Sequence, residues 1–320
     1  MQYGNIAGLD KPVSRIVQGI IQVSDKNDEG FALLDAVYAA GINAFDTAHV
    51  YGGKDAFLGR WVASRDLRDK VVVLAKGAHH NDVRRRVTPY DIGADLHDTL
   101  ARMKAPYVDL YVLHRDDPQY PVEPIIDALN QYVKEGKIKA FGGSNWTMAR
   151  LQAANDYAKA SGQIPFALSS PNFSLAEQVE EPWDNCVSIS GPKGEAERAW
   201  YAKEKMPLFT WSSMAGGFWS GRYDRGDMDR LSATGDYFEK LLVKCYGYPQ
   251  NFERLDRVKE LAAKRGVTVP QIALSFVLSQ PDLDIYALVG SANAAELQSN
   301  IAASEITLTP EEVAHLDLRG

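Results

Sequence analysis

Cysteine is scarce in this chain, with two in 320 residues, Cys186 and Cys245. Neither stands in a C-x-x-C or C-x-x-x-x-H spacing, so neither a disulfide framework nor a metal site is expected. No apolar run approaches the roughly 18 residues that a membrane-spanning helix needs. The start, Met-Gln-Tyr-Gly-Asn, lacks a basic region followed by an apolar stretch, so no signal peptide is expected. Basic charge is in deficit: 35 Lys and Arg against 42 Asp and Glu leave a net −7. Nucleic acid and anionic lipid want clustered cations, so neither is an expected partner. The one basic run, Arg84-Arg85-Arg86, reads as a solvated helix start. What remains, 45% hydrophobic and 24% charged, is ordinary for a soluble globular protein, expected in the reducing cytoplasm.

Short apolar runs rich in β-branched residues alternate with amphipathic stretches along the whole chain. The strand-like runs are Arg15–Ile21, Asn43–Ala48, Val71–Gly77, Val108–His114, Ile138–Asn145, Phe166–Ser170, Pro207–Ser212 and Ile285–Gly290. Helix-period patterns cover Phe31–Ala40, Phe57–Ser64, Ile92–Met103, Pro124–Glu135, Met148–Ala160, Glu195–Glu204, Phe252–Arg265 and Ala294–Ala303. Continuous rather than alternating apolar runs mean strands covered on both faces, as in a parallel sheet. Eight strands each followed by a helix predict a (β/α)8 TIM barrel, a single domain over residues 1–320. A doubly wound sheet wants G-x-G-x-x-G after its first strand, and Gln18-Gly19-Ile20-Ile21 does not supply it. Residues 1–13 read as a short hairpin turning at Gly8-Leu9-Asp10, and extra C-terminal helices include Thr268–Ser279, capped by Thr268. Met214–Gln250 reads as a long aromatic loop of functional length.

In such a barrel the site forms at the C-terminal ends of the strands. The second strand ends in Phe45-Asp46-Thr47-Ala48, with Tyr51 in the loop beyond; the third ends in Leu74-Ala75-Lys76-Gly77 and the fourth in Tyr111-Val112-Leu113-His114. These four groups converge on one space. Asp46 is the natural partner for a buried Lys76, whose charge is costly to bury alone. A cation beside a phenol favours the phenolate, so Tyr51 is expected to have a lowered pKa. With His114 orienting, the set makes a proton donor for a carbonyl oxygen gaining negative charge. Each residue alone has an ordinary alternative: an N-capping Asp, a packing Tyr, a satisfied core His, or a Schiff-base Lys.

Phe45-Asp46-Thr47-Ala48-His49-Val50-Tyr51-Gly52, Leu74-Ala75-Lys76-Gly77, Val108 through His114 and Gly136 through Asn145 resemble signatures of the aldo-keto reductase superfamily, over about residues 12 to 303. The resemblance implies a barrel that binds NADP or NAD and transfers hydride to an aldehyde or ketone, with Asp46, Tyr51, Lys76 and His114 as the catalytic set. It implies that Ser144 and Asn145 hold the nicotinamide carboxamide, with Ser170 where Gln is common in the family and Gly19, Ile20 and Asp46 alongside. Trp211 matches the aromatic that stacks on the nicotinamide ring. Ser212, Met214, Gly217, Phe218, Ser220, Gly221 and Arg222 resemble the loop that clasps the pyrophosphate. Gly290, Ser291, Glu296 and Asn300 resemble the adenine-end motif. Members favouring NADP carry Lys or Arg near Gly290, Ala292 or Glu296, and none of the three is basic here. Glu296 would repel a 2′-phosphate and can accept from a 2′-hydroxyl, so the cofactor preference stays open.

Wall candidates for a small carbonyl or alcohol substrate are Ile21, His49, His79, Trp146, Trp219 and Tyr246. The two histidines suit a hydroxylated, sugar-derived carbonyl. Two other functions stay open: a Schiff-base lyase using Lys76, and a non-catalytic nicotinamide-sensing subunit, since some relatives serve ion channels.

Overall fold

The computed structural model describes residues 1–319. The strands are β1 Ile16–Gly19, β2 Ala44–Ala48, β3 Val72–Gly77, β4 Val108–Leu113, β5 Ile138–Ser144, β6 Leu168–Ser170, β7 Leu208–Thr210 and β8 Ile285–Val289. Among the described residues these eight parallel strands close into a barrel in the order β8-β1-β2-β3-β4-β5-β6-β7. Each lies within the run read from the sequence. A short antiparallel pair, Tyr3–Gly4 with Val13–Ser14, precedes them. It turns one position earlier than expected, where the Leu9 N–H bonds the Ile6 carbonyl at 3.1 Å.

The chain divides into two compact units. One holds residues 2–170 and 290–294, and the other Pro171–Val289 and the residues from Ala295. In the first, β1 to β6 run side by side with helices Asn27–Ala39, Lys54–Ser64, Pro89–Met103, Val122–Lys134 and Met148–Ala160 between them. Phe45 packs on Trp61 of Lys54–Ser64 at 4.9 Å, which fixes the outward face of β2. The period of two then turns Asp46 to the opposite, inner face. Ala48 pairs with Lys76 and Lys76 with Val112, so the register carries that inner face to β3 and β4. Local chemistry starts the helices. Thr88 caps Pro89–Met103 through the Asp91 N–H with Pro in the first turn, and Thr147 caps Met148–Ala160 through the Arg150 N–H.

Arg84-Arg85-Arg86 is not a helix start. It precedes Pro89–Met103 as an irregular segment, with Arg84 exposed and Arg85 and Arg86 half-buried, and each guanidinium bonds within the fold. Arg84 forks onto both oxygens of Asp91 at 2.6 Å each, Arg86 reaches Asp95 at 2.6 Å, and Arg85 donates to the Asp116 carbonyl at 2.8 Å. The helix presents Asp91 and Asp95 as buried carboxylates, which need cationic partners.

In the second unit β7 and β8 pair in parallel, with helices Glu195–Glu204, Pro249–Arg265, Val269–Leu278, Ala294–Ala303 and Pro310–Leu316. Thr268 closes a capping box with Gln271, as its position suggested. Residues 214–250 are not an unbroken loop. Short 3₁₀ turns at Ala215–Ser220 and Arg225–Asp227 lead into helices Met228–Thr234 and Tyr237–Tyr246. Capping boxes at Asp224 with Asp227 and at Asp236 with Glu239 start these turns, a local signal that the weak apolar period hid.

Candidate active site

The rim of β2, β3 and β4 carries the candidate groups, and all of it belongs to the first unit. Backbone bonds extend the sheet ladder past the strand ends. The His49 N–H bonds the Lys76 carbonyl at 2.8 Å, and the His114 N–H bonds the Gly77 carbonyl at 2.7 Å. Gly77 has to be glycine, because a Cβ there would lie 1.9 Å from the Tyr111 hydroxyl oxygen. Tyr51 stands on a turn closed by its N–H to the Ala48 carbonyl at 3.0 Å.

The four expected groups come together. The Lys76 ammonium pairs with the Asp46 carboxylate, both buried. It lies 5.4 Å from the centre of the Tyr51 ring. The His114 ring meets the Tyr51 ring edge-on, with centroids 5.7 Å apart. Burial works against the Lys76 charge, but Asp46 and Tyr51 outweigh it and hold its pKa above the ordinary value. The ammonium therefore stays protonated.

The expectation of a lowered Tyr51 pKa is overturned. Burial pushes the phenol above its ordinary value, and the pull of Lys76 does not cancel it. The physical reason is that Asp46 compensates the Lys76 charge and itself opposes a second anion nearby. Tyr51 is thus a neutral O–H donor at physiological pH. His114 is displaced the other way, well below the ordinary imidazole value, by burial and then by the fields of Lys76, His79 and Arg115. It is neutral, and its buried Nδ1 has no hydrogen-bond partner among the described residues.

Three neighbours escaped the sequence reading. Arg115 is buried and its charge bears on both Tyr51 and His114; its place directly after His114 was the available signal. Asp95, on helix Pro89–Met103, accepts the Ala78 N–H at 2.8 Å. His80 stacks on His79 at 4.3 Å. No motif spacing announces the last two.

The wall candidates separate. His79 crosses His114 at 4.9 Å between centroids. His49 instead turns to helix Pro89–Met103, with Nε2 3.2 Å from Asp98 and 3.0 Å from Arg102, because that helix presents its charges there. Trp146 is buried against Phe166 at 5.1 Å and donates its indole N–H to the Arg115 carbonyl at 3.3 Å. Ile21 is exposed. In the second unit Trp219 is buried edge-on to Phe218, and the Tyr246 hydroxyl accepts from Gln178 at 3.2 Å and Asn172 at 3.4 Å.

The residues that the resemblance assigned to a dinucleotide stand as follows. In the first unit the Ile20 N–H bonds the Asp46 carbonyl at 3.1 Å just past Gly19. Ser144 Oγ donates to the Ser170 carbonyl at 2.8 Å, and Asn145 holds a left-handed backbone at φ +59° with Nδ2 3.3 Å from the His114 carbonyl. Among the described residues, the buried Ser170 Oγ has no hydrogen-bond partner. The Ser291 carbonyl, next to Gly290, accepts from Gln18 at 3.1 Å. In the second unit Trp211 keeps its indole N–H buried and unpartnered. Ser212, Gly217 and Gly221 all take positive φ, between Met214, the buried Phe218 and Ser220, which accepts from Arg222 at 3.2 Å. Within the run the Ala215 N–H bonds the Ser212 carbonyl at 2.8 Å and the Gly217 N–H bonds the Met214 carbonyl at 3.0 Å. Glu296 lies in the first turn of Ala294–Ala303, and Asn300 is buried on the same helix. In the first unit, an amide next to a buried serine hydroxyl fits the carboxamide of a nicotinamide.

The aldo/keto reductase family model matches residues 15–318. The chain is 25% identical to a protein of Phanerodontia chrysosporium named aryl-alcohol dehydrogenase [NADP(+)], over 97% of this chain and 83% of that one. It is 28% identical to a protein of Oryza sativa subsp. japonica named "Probable voltage-gated potassium channel subunit beta", over 99% and 96%. Among solved structures, a thermostable aldo-keto reductase, Tm1743, shares the fold at a TM-score of 0.73 with 20% identity, over all of both chains.

Proposed function

The chain belongs to the aldo/keto reductase family, and from that premise we propose that it reduces an aldehyde or ketone with NADPH or NADH, or runs the reverse reaction. The observation that carries this reading is the buried Asp46–Lys76 pair with the Tyr51 phenol and the neutral His114 ring beside it. When bound, the reduced nicotinamide supplies the hydride. In the first unit Ser144, Asn145 and Ser170 would hold its nicotinamide end; in the second, taken by itself, Gly217, Gly221 and Arg222 suit a pyrophosphate.

In this reading Tyr51 donates its proton to the carbonyl oxygen as that oxygen gains charge. A phenol held neutral by burial reserves the proton for the oxygen, and the adjacent ammonium stabilises the phenolate left behind. Asp46 keeps Lys76 charged and fixed. His114, uncharged, orients the same carbonyl oxygen through its ring N–H. The raised Lys76 pKa speaks against a Schiff-base lyase, which needs a free amine near neutral pH. The printed name of one relative gives NADP(+) as cofactor, while the acidic Glu296 suits a ribose hydroxyl.

The test follows reduced-nicotinamide absorbance with both cofactors over a panel of aldehydes, ketones and sugars. Tyr51→Phe is expected to lower kcat by roughly 10² to 10⁴ while nucleotide affinity is retained. Wild-type rates in that variant overturn the mechanism. Nucleotide binding without any turnover by the unmodified protein supports a sensing role instead.

A further inference from the structure

His79 follows β3 by two residues and enters none of the steps above. Its ring lies against His114 at 4.9 Å, crossing at 76°, and stacks on His80 at 4.3 Å. Its Nδ1 is 2.8 Å from the His80 carbonyl oxygen. A carbonyl only accepts, so Nδ1 carries the proton and the lone pair of the neutral ring sits on Nε2. Among the described residues Nε2 makes no hydrogen bond.

The surroundings hold that ring neutral and in place. His114, His80, Arg115 and Asp95 are the titratable and charged groups facing it. Burial, with the fields of the His80 ring and Arg115, outweighs the His80 carbonyl and Asp95 and keeps the imidazole below its ordinary value. The preceding residue, Ala78, is locked at φ +60° by its N–H bond to the buried Asp95. An uncharged acceptor is therefore held rigidly beside His114, on the lip of the site.

A carbonyl oxygen cannot donate to such an acceptor, an ammonium group would face Lys76 and Arg115, and a hydroxyl satisfies it. We infer that His79 Nε2 accepts a hydrogen bond from a hydroxyl on the carbon next to the reacting carbonyl, which makes 2-hydroxy aldehydes and ketones the preferred substrate class. His114 reaches the carbonyl oxygen, and oxygens on adjacent carbons are spaced to meet neighbouring rings. This rests on the reductase reading above. His79 is a specificity-determining residue, and it takes no part in the proton transfer.

The test compares kcat and KM for 2-hydroxypropanal and propanal in the wild-type protein, His79→Phe and His79→Gln. The wild-type protein is expected to prefer the hydroxylated aldehyde in kcat/KM by roughly five- to tenfold, the yield of one neutral hydrogen bond. In His79→Phe the ratio falls towards one, through KM for 2-hydroxypropanal more than through kcat. In His79→Gln, whose side-chain oxygen is again an acceptor, part of the preference returns. Equal use of both aldehydes by the wild-type protein, or a ratio unmoved in His79→Phe, overturns the inference and leaves the reductase reading standing. Absence of turnover on every carbonyl overturns that reading and the inference together.

Discussion

Asp95 holds the backbone N–H of Ala78 at 2.8 Å, two residues beyond Lys76. Ala78 is left-handed at φ +60°, a conformation that a residue with a Cβ adopts only when its surroundings impose it. The same carboxylate takes Arg86 at 2.6 Å and lies 3.7 Å from His49 Nδ1. One buried acid on an outer helix thereby sets the path of the chain between the Lys76 strand end and His79. Removing it is expected to disturb the rim without touching a reacting atom.

Asp95→Ala should destabilise the fold by about 1–3 kcal/mol, because it removes the acceptor of the buried Ala78 N–H and leaves Arg86 with Asp91 alone. Asp95→Asn keeps an acceptor for the Ala78 N–H and should retain more of kcat than Asp95→Ala. Urea unfolding and steady-state kinetics on the two variants check this. Equal kcat in both would show that the backbone bond does not position the rim.

A second acid gives a pH signature. Arg84 beside Asp91 lowers its carboxyl to about 2, with help from the Thr88 hydroxyl at 2.7 Å. The folded pKa lies below the unfolded one, so this contribution to stability is present above about pH 4. It is lost as pH falls from there through about 2. Thermal melts over that range should show a steep acid limb in the wild-type protein and a shallower one in Arg84→Ala. Parallel curves would show that the pair carries no linkage.

Cofactor preference turns on Glu296 in the reading proposed here. It is exposed in the first turn of Ala294–Ala303, where a carboxylate repels a 2′-phosphate. Glu296→Lys is expected to move the ratio of kcat/KM for NADPH over NADH upward by about tenfold, one exposed repulsion replaced by one attraction. An unchanged ratio would place 2′-phosphate recognition on another cation, with Arg222 the first to mutate.

Much of the fold was legible from the sequence, because its signals are local and periodic. Runs such as Val72–Gly77 are apolar on both faces, and Thr268 with Gln271 announces a helix start within four residues. Asp46, Lys76 and His114 could be placed together because each lies within two residues of a strand's C-terminal end, and in this architecture those ends share one rim. Residues 214–250 were misread because their helices are short and begin with capping boxes instead of long apolar stripes. The arginine run was misread because its partners Asp91 and Asp95 lie several residues on, and nothing in the run shows that those acids are buried.

Residue order by itself determined the alternation of strands and helices and the reactive groups at the strand ends, since backbone period and burial pattern are written residue by residue. Only the tertiary structure decided the protonation of Tyr51, the tautomer of His79, the diversion of His49 to Asp98 and the hold of Asp95 on Ala78. Those properties arise from desolvation and from charges summed over groups far apart in the chain, and such sums exist only once the chain has brought the groups together.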